Sequence, residues 1–186
     1  MKRKRMLYLL ALCLGFSGVV AKTTWATNTP ADATITITPV ANVSLSVSPT
    51  TYAFGTLDIS ASSNSASAVS LTNNGQVDVS VTKQITNQSN PAGWTAGASA
   101  ALDTYVLYVA TSTTRPGVSD FTTGAHAFGA LSNVTSLEGL GGGNPIVTNP
   151  AGILPSVNLW FRLDMPTTVS SQIAREITVR FTGTAQ

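Results

Sequence analysis

Val157-Asn158-Leu159-Trp160-Phe161-Arg162-Leu163-Asp164 alternates with period two: Val157, Leu159, Phe161 and Leu163 fall on one side, Asn158, Trp160, Arg162 and Asp164 on the other. In a strand successive side chains point to opposite faces, so this pattern predicts one face in a core and one in water. The same alternation recurs in both directions along the chain. Downstream, Ile177, Val179 and Phe181 oppose Glu176, Thr178 and Arg180. Upstream, Val77, Val79 and Val81 oppose Asp78, Ser80 and Thr82, after Val69 and Leu71. Val43, Leu45 and Val47 alternate with serines, and Ile35 and Ile37 with threonines. Tyr105 to Val109 is apolar on both faces, as a central strand requires. No stretch holds a helical period, although Ser99 to Asp103 admits a short turn.

The punctuation agrees with strands. Asn73-Asn74-Gly75 lies between two alternating runs and predicts a hairpin, since Asn and Gly tolerate the positive φ of a primed turn. Pro49, Pro91, Pro116 and Pro166 stand where runs end. The expected fold is all-β, a single antiparallel two-sheet sandwich of immunoglobulin-like or jelly-roll-like type over residues 42–186. Two long loops interrupt it, 112–131 and the Gly/Pro-rich 138–156. Irregular loops of that length are functional or mobile. The glycine run lacks the Lys-Ser/Thr ending of a phosphate cradle and reads as a mobile loop.

Residues 1–26 predict an export signal. Lys2, Arg3, Lys4 and Arg5 precede an apolar Met6–Ala21 stretch, and small residues offer cleavage after Ala21 or after Ala26. The whole chain has 10 Lys+Arg against 8 Asp+Glu. Without the four bases of residues 2–5, the remaining six are scattered and outnumbered by the acids, which argues against nucleic acid as a partner. The single cysteine, Cys13, falls inside the signal, so the exported part has no disulfide and no thiol chemistry. About 160 residues suffice for one core without such staples. No second apolar stretch is long enough to cross a bilayer.

Within residues 44–82, Ser48-Pro49-Thr50-Thr51-Tyr52-Ala53-Phe54-Gly55-Thr56-Leu57 and Val69-Ser70-Leu71-Thr72-Asn73-Asn74-Gly75 resemble the opening of abnormal-spindle-type immunoglobulin-like domains, which recur in bacterial surface and secreted proteins. The resemblance implies a non-catalytic sandwich used for scaffolding or adhesion.

Chemistry-bearing residues are sparse. His126 is the sole histidine; as a catalytic base it would need an acid such as Asp120 beside it, and the plainer reading is a loop histidine, solvent-facing or locally bonded. One histidine without cysteine excludes ordinary zinc frameworks, and the dispersed acids carry no calcium-loop signature. Asp120 and Glu138 are the pair that would have to meet for glycosidase chemistry, and surface acids are the plainer reading. No cofactor is expected. Trp94 and Trp160 are candidate stacking platforms for a glycan, Trp160 because it lies opposite the Val157/Leu159/Phe161 face. The alternative for Trp160 is cover by a loop. Trp25 falls at the signal boundary.

Residues 27–41 form a β-prone arm set off by Pro39, with Ile35 and Ile37 as its interface candidates. The arm fits either the first strand of its own sandwich or an addition to a neighbour's open edge. The expected function is a secreted, non-catalytic structural or adhesive protein of the cell surface or extracellular matrix, with the periplasm as a further possible location. Its expected partners are its own copies or other surface proteins. The alternative is a carbohydrate-binding module.

Overall fold

The computed structural model describes residues 34–143, Val147 and 156–186. The expected export signal with its cleavage points, Trp25, residues 27–33 of the arm and most of 144–155 lie outside the described residues. The chain divides into two units, Met1–Thr38 and Pro39–Gln186. In the first, described residues 34–38 belong to no strand and are exposed. The second holds all the β-structure.

The fold is all-β, with two sheets. Strands β1 (Leu45–Ser48), β2 (Ser62–Asn64), β3 (Val69–Asn73), β5 (Thr95–Ala96), β6 (Thr104–Thr111) and β8 (Ser156–Asp164) make a six-stranded sheet in the order β1-β3-β8-β6-β5, with β2 also on β8. Strands β4 (Val79–Asn90), β7 (Thr135–Ser136) and β9 (Glu176–Ala185) make a three-stranded sheet in the order β7-β4-β9. Residues 157–164 lie in β8, the axis of the larger sheet. β6 pairs along one side of β8, and β3 and β2 follow one another along the other side, Val69 opposite Leu159 and Asn64 opposite Arg162. Between them the buried Ser65 continues the ladder: its N–H donates to Phe161 O at 2.7 Å and its Oγ accepts from Phe161 N at 3.1 Å.

Both sheets feed one core. Leu71, Tyr105, Val109 and Leu159 of the larger sheet join Val79, Val81 and Ile85 of the smaller one, all fully buried. Each such side chain contributes about 1.5–3 kcal/mol of hydrophobic stabilisation. β6 is apolar on both faces, as its sequence predicts. Tyr105, Leu107 and Val109 enter this core, while Val106, Tyr108 and Ala110 enter a second, smaller cluster with Phe121 and Trp160.

Two expectations are corrected. Asn73-Asn74-Gly75 does not close a hairpin, because β3 and β4 belong to different sheets. The segment is a crossing between sheets. Asn74 N–H donates to Ser44 O and Gln76 N–H to Asn42 O, continuing the β1 side of the ladder, while Asn73 Nδ2 donates to Val77 O at 2.7 Å and Val147 O at 3.0 Å. Gly75 serves close approach here: a Cβ on it would lie 2.3 Å from Asn42 O. The second correction is strand direction. β5 pairs with β6 in parallel, Thr95 opposite Thr104, so the larger sheet is mixed rather than wholly antiparallel.

The 112–131 loop is packed. It carries a 3₁₀ turn (Val118–Asp120) and one helical turn, α1 (Thr123–His126), with Phe121, His126 and Phe128 buried.

Candidate functional site

The outer face of β8 is roofed by the 112–131 loop. Trp160 is 8 % exposed, and its indole N–H donates to Ser112 O at 3.0 Å. Two arginines fasten the roof. Arg115 Nε donates to Ser65 O at 2.9 Å. Arg162 donates Nη1 to Val118 O at 2.8 Å, lies 4.7 Å over the Tyr108 ring, and forms a two-point ion pair with Asp164 at 2.8 Å. The indole of Trp160 is therefore a structural contact of the loop, its ring turned away from solvent.

Trp94 is also buried, 9 % exposed, beside Tyr105 at 6.3 Å between ring centroids and with the Arg175 guanidinium 6.0 Å from its ring. Arg175 Nη1 in turn donates to Pro91 O and Ala92 O, at 2.6 and 2.7 Å. Trp94 forms part of the wall of an open cleft of about 330 Å³ whose polar lining includes Thr86, Asn87, Gln88 and Thr95. Its indole N–H has no hydrogen-bond acceptor among the described residues.

His126 is 4 % exposed and locally bonded. Nδ1 accepts from Thr122 N–H at 2.9 Å, which fixes the proton on Nε2, and Nε2 donates to Gly139 O at 3.4 Å. Asp120 accepts from Gly117 N–H at 2.8 Å, so its carboxylate closes its own turn. Glu138 acts electrostatically on Lys83. Among the described residues no three His, Cys, Asp or Glu side chains group as metal ligands. No described helix is long and apolar enough to cross a membrane.

Lys83 escaped the sequence reading, although the signal for it was present. The alternation that places Val79 and Val81 inward puts Lys83 inward as well. It is fully buried, donating from Nζ to Ala125 O at 2.8 Å and His126 O at 3.2 Å, with Phe128 at 5.8 Å. Burial disfavours the ammonium and brings its pKa down to about 8, against the opposing pull of Glu138. It ties the smaller sheet to the end of α1.

The arm is the opposite case. Ile35 and Ile37 are each 82 % exposed and Val40 92 %. β9 is the other unsatisfied element: among the described residues it pairs with β4 alone, and its inward Ile177, Val179 and Phe181 remain half-buried. No protein-family model, no curated protein and no solved structure matches the chain.

Proposed function

We propose that this chain is an exported, non-catalytic structural or adhesive protein of the cell surface or extracellular matrix. In this reading its two sheets form an immunoglobulin-like or jelly-roll-like sandwich that associates with further copies by β-strand addition. The observation that carries the reading is the exposure of Ile35 and Ile37, which alternate with threonines, and of Val40 three residues on. Soluble chains rarely leave contiguous apolar surface open unless it is used. The basic and apolar start of the sequence supports export. Low charge supports assembly, because few like charges hold sheet edges apart. Sedimentation of the exported protein over a concentration series, with negative-stain microscopy, tests it. Concentration-dependent oligomers or filaments are expected; a single monomeric species throughout would refute it.

A second reading, glycan binding, is favoured by the cleft beside Trp94, whose amide and hydroxyl lining suits neutral sugars. Titration with soluble glycans checks it, and binding lost on Asn87→Ala with the fold retained is the expected sign.

A further inference from the structure

We propose that the bare edge of β9 accepts residues 34–38 of a second copy of this chain as an added antiparallel or parallel strand. The inference rests on the self-association reading and names both halves of its contact.

The acceptor half is defined by what β9 lacks. Ten residues long, it spends one edge on β4 and leaves the backbone of the other unpaired among the described residues. Long edge strands are normally blunted by proline, lysine or a covering loop. β9 contains no proline and no lysine, and its two charges, Glu176 and Arg180, stand on the outer face rather than in the line of pairing. Its inner face is also unfinished. Val79, Val81 and Ile85 on the neighbouring β4 are fully buried, whereas Ile177, Val179 and Phe181 keep part of their surface in water. The open length has a definite end. A Cβ at Gly183 would meet Leu45 Cδ1 and Val43 Cγ1 at 3.1 Å, so residues 43–45 already close over β9 there. Among the described residues, the stretch from Ile177 to Phe181 pairs with β4 alone.

The donor half matches that stretch in length, period and charge. Thr34-Ile35-Thr36-Ile37-Thr38 is uncharged and alternates with period two. At about 3.3 Å per residue it spans roughly the same 17 Å as Ile177–Phe181. Pro39 has no N–H to donate and ends the pairing there. With Ile35 and Ile37 turned to the core side, they lie beside Ile177, Val179 and Phe181. The threonines then fall on the outer face with Thr178 and Thr182, where cross-strand Thr pairs are favourable. The proposed donor is a second copy: Ile35 and Ile37 are 82 % exposed, and among the described residues β9 has no partner strand besides β4. Arm to edge is a heterologous contact, which propagates head to tail unless it closes into a ring.

The test uses the full chain in a Cys13→Ser background, which leaves no other cysteine whether or not residues 1–26 are retained. Thr36→Cys and Thr178→Cys proteins are mixed dilute, concentrated and oxidised, with Thr36→Cys and Val134→Cys as the control pair. A covalent dimer is expected from the first mixture and not from the second. Ile35→Asp/Ile37→Asp, which alters only exposed side chains, is expected to weaken association about a hundred-fold or more. If the Thr36→Cys/Thr178→Cys double variant instead closes on itself at monomer mass, the strand is donated within one chain and the proposal fails. If oligomers form but give no Thr36–Thr178 bond and survive Ile35→Asp/Ile37→Asp, this contact is wrong while self-association stands. A wild-type chain monomeric at every concentration overturns both.

Discussion

β8 has β6 on one side, β3 and β2 on the other, the core beneath it and the 112–131 loop above. Among the described residues β9 has only β4, with an outer face in water and an inner face half covered. Their sequences alternate in the same way and are of similar length. Alternation therefore says which face of a strand is buried, and says nothing about how many edges are occupied or what lies on the polar side. The difference between them comes from residues far away in sequence: Ser112, Arg115 and Val118 make the roof of β8, and no described segment does the same for β9.

The largest effect that would break this contrast is a pair of truncations. Trp160→Ala is expected to cost about 3–5 kcal/mol in denaturant unfolding, through a lost aromatic and an uncovered second cluster. Phe181→Ala on β9 is expected to cost about 1–2 kcal/mol in dilute protein, since its ring is only half-buried. Equal costs would show that β9 is as enclosed as β8.

Lys83 sharpens the contrast, because it is where the open sheet is tied to the roofing loop. Its pKa is lowered from 10.5 to about 8, so below pH 8 both folded and unfolded chains hold the proton and the burial cost is present in full. Between pH 8 and 10.5 the folded chain has released a proton that the unfolded chain keeps, and stability rises with pH by at most about 3 kcal/mol. Burial raises the pKa of Tyr105, which works the other way once unfolded tyrosine ionises near 10.0. Denaturation midpoints should therefore climb from pH 8 and turn over near 10, and Lys83→Met should flatten the climb.

The crossing between the sheets gives an intermediate effect. Gly75→Ala places a methyl into Asn42 O and should cost about 1–3 kcal/mol by thermal or chemical melting. A neutral result would mean that the 42–44 backbone moves aside freely. The smallest effect is at Asp103, which accepts from Ser170 N–H at 2.7 Å and from Ser170 Oγ at the end of the large sheet. These bonds hold its carboxyl below the ordinary 3.8. Its contribution is present above 3.8 and is lost as pH falls through the lowered value. Asp103→Asn keeps a residue that tolerates the positive φ of this position and should make the acid limb of unfolding slightly shallower.

The main strands were legible because alternation is local. β1, β3, β6, β8, β9 and the start of β4 sit on runs that the pattern marks, whereas residues 83–90 of β4 do not, and the two-faced apolarity of β6 announced its double burial. Partner choice was not legible. Asn73-Asn74-Gly75 has the composition of a hairpin turn, yet Asn73 spends its amide on Val77 and Val147, which a local rule does not see. The two-residue β5 is too short for any period to show. For Trp160 the sequence identified the face and left open whether anything lay over it. Lys83 was readable by phase alone, but residue type outweighs phase when charge is assumed to mean surface.

The roof over Trp160 is held by guanidinium groups donating to backbone carbonyls: Arg115 to Ser65 and Arg162 to Val118. A guanidinium stays charged at any pH a cell or its surroundings reach, and a peptide oxygen neither titrates nor oxidises. Those two fastenings are thus indifferent to reductant and to acid, where a disulfide or a lysine–carboxylate latch would not be.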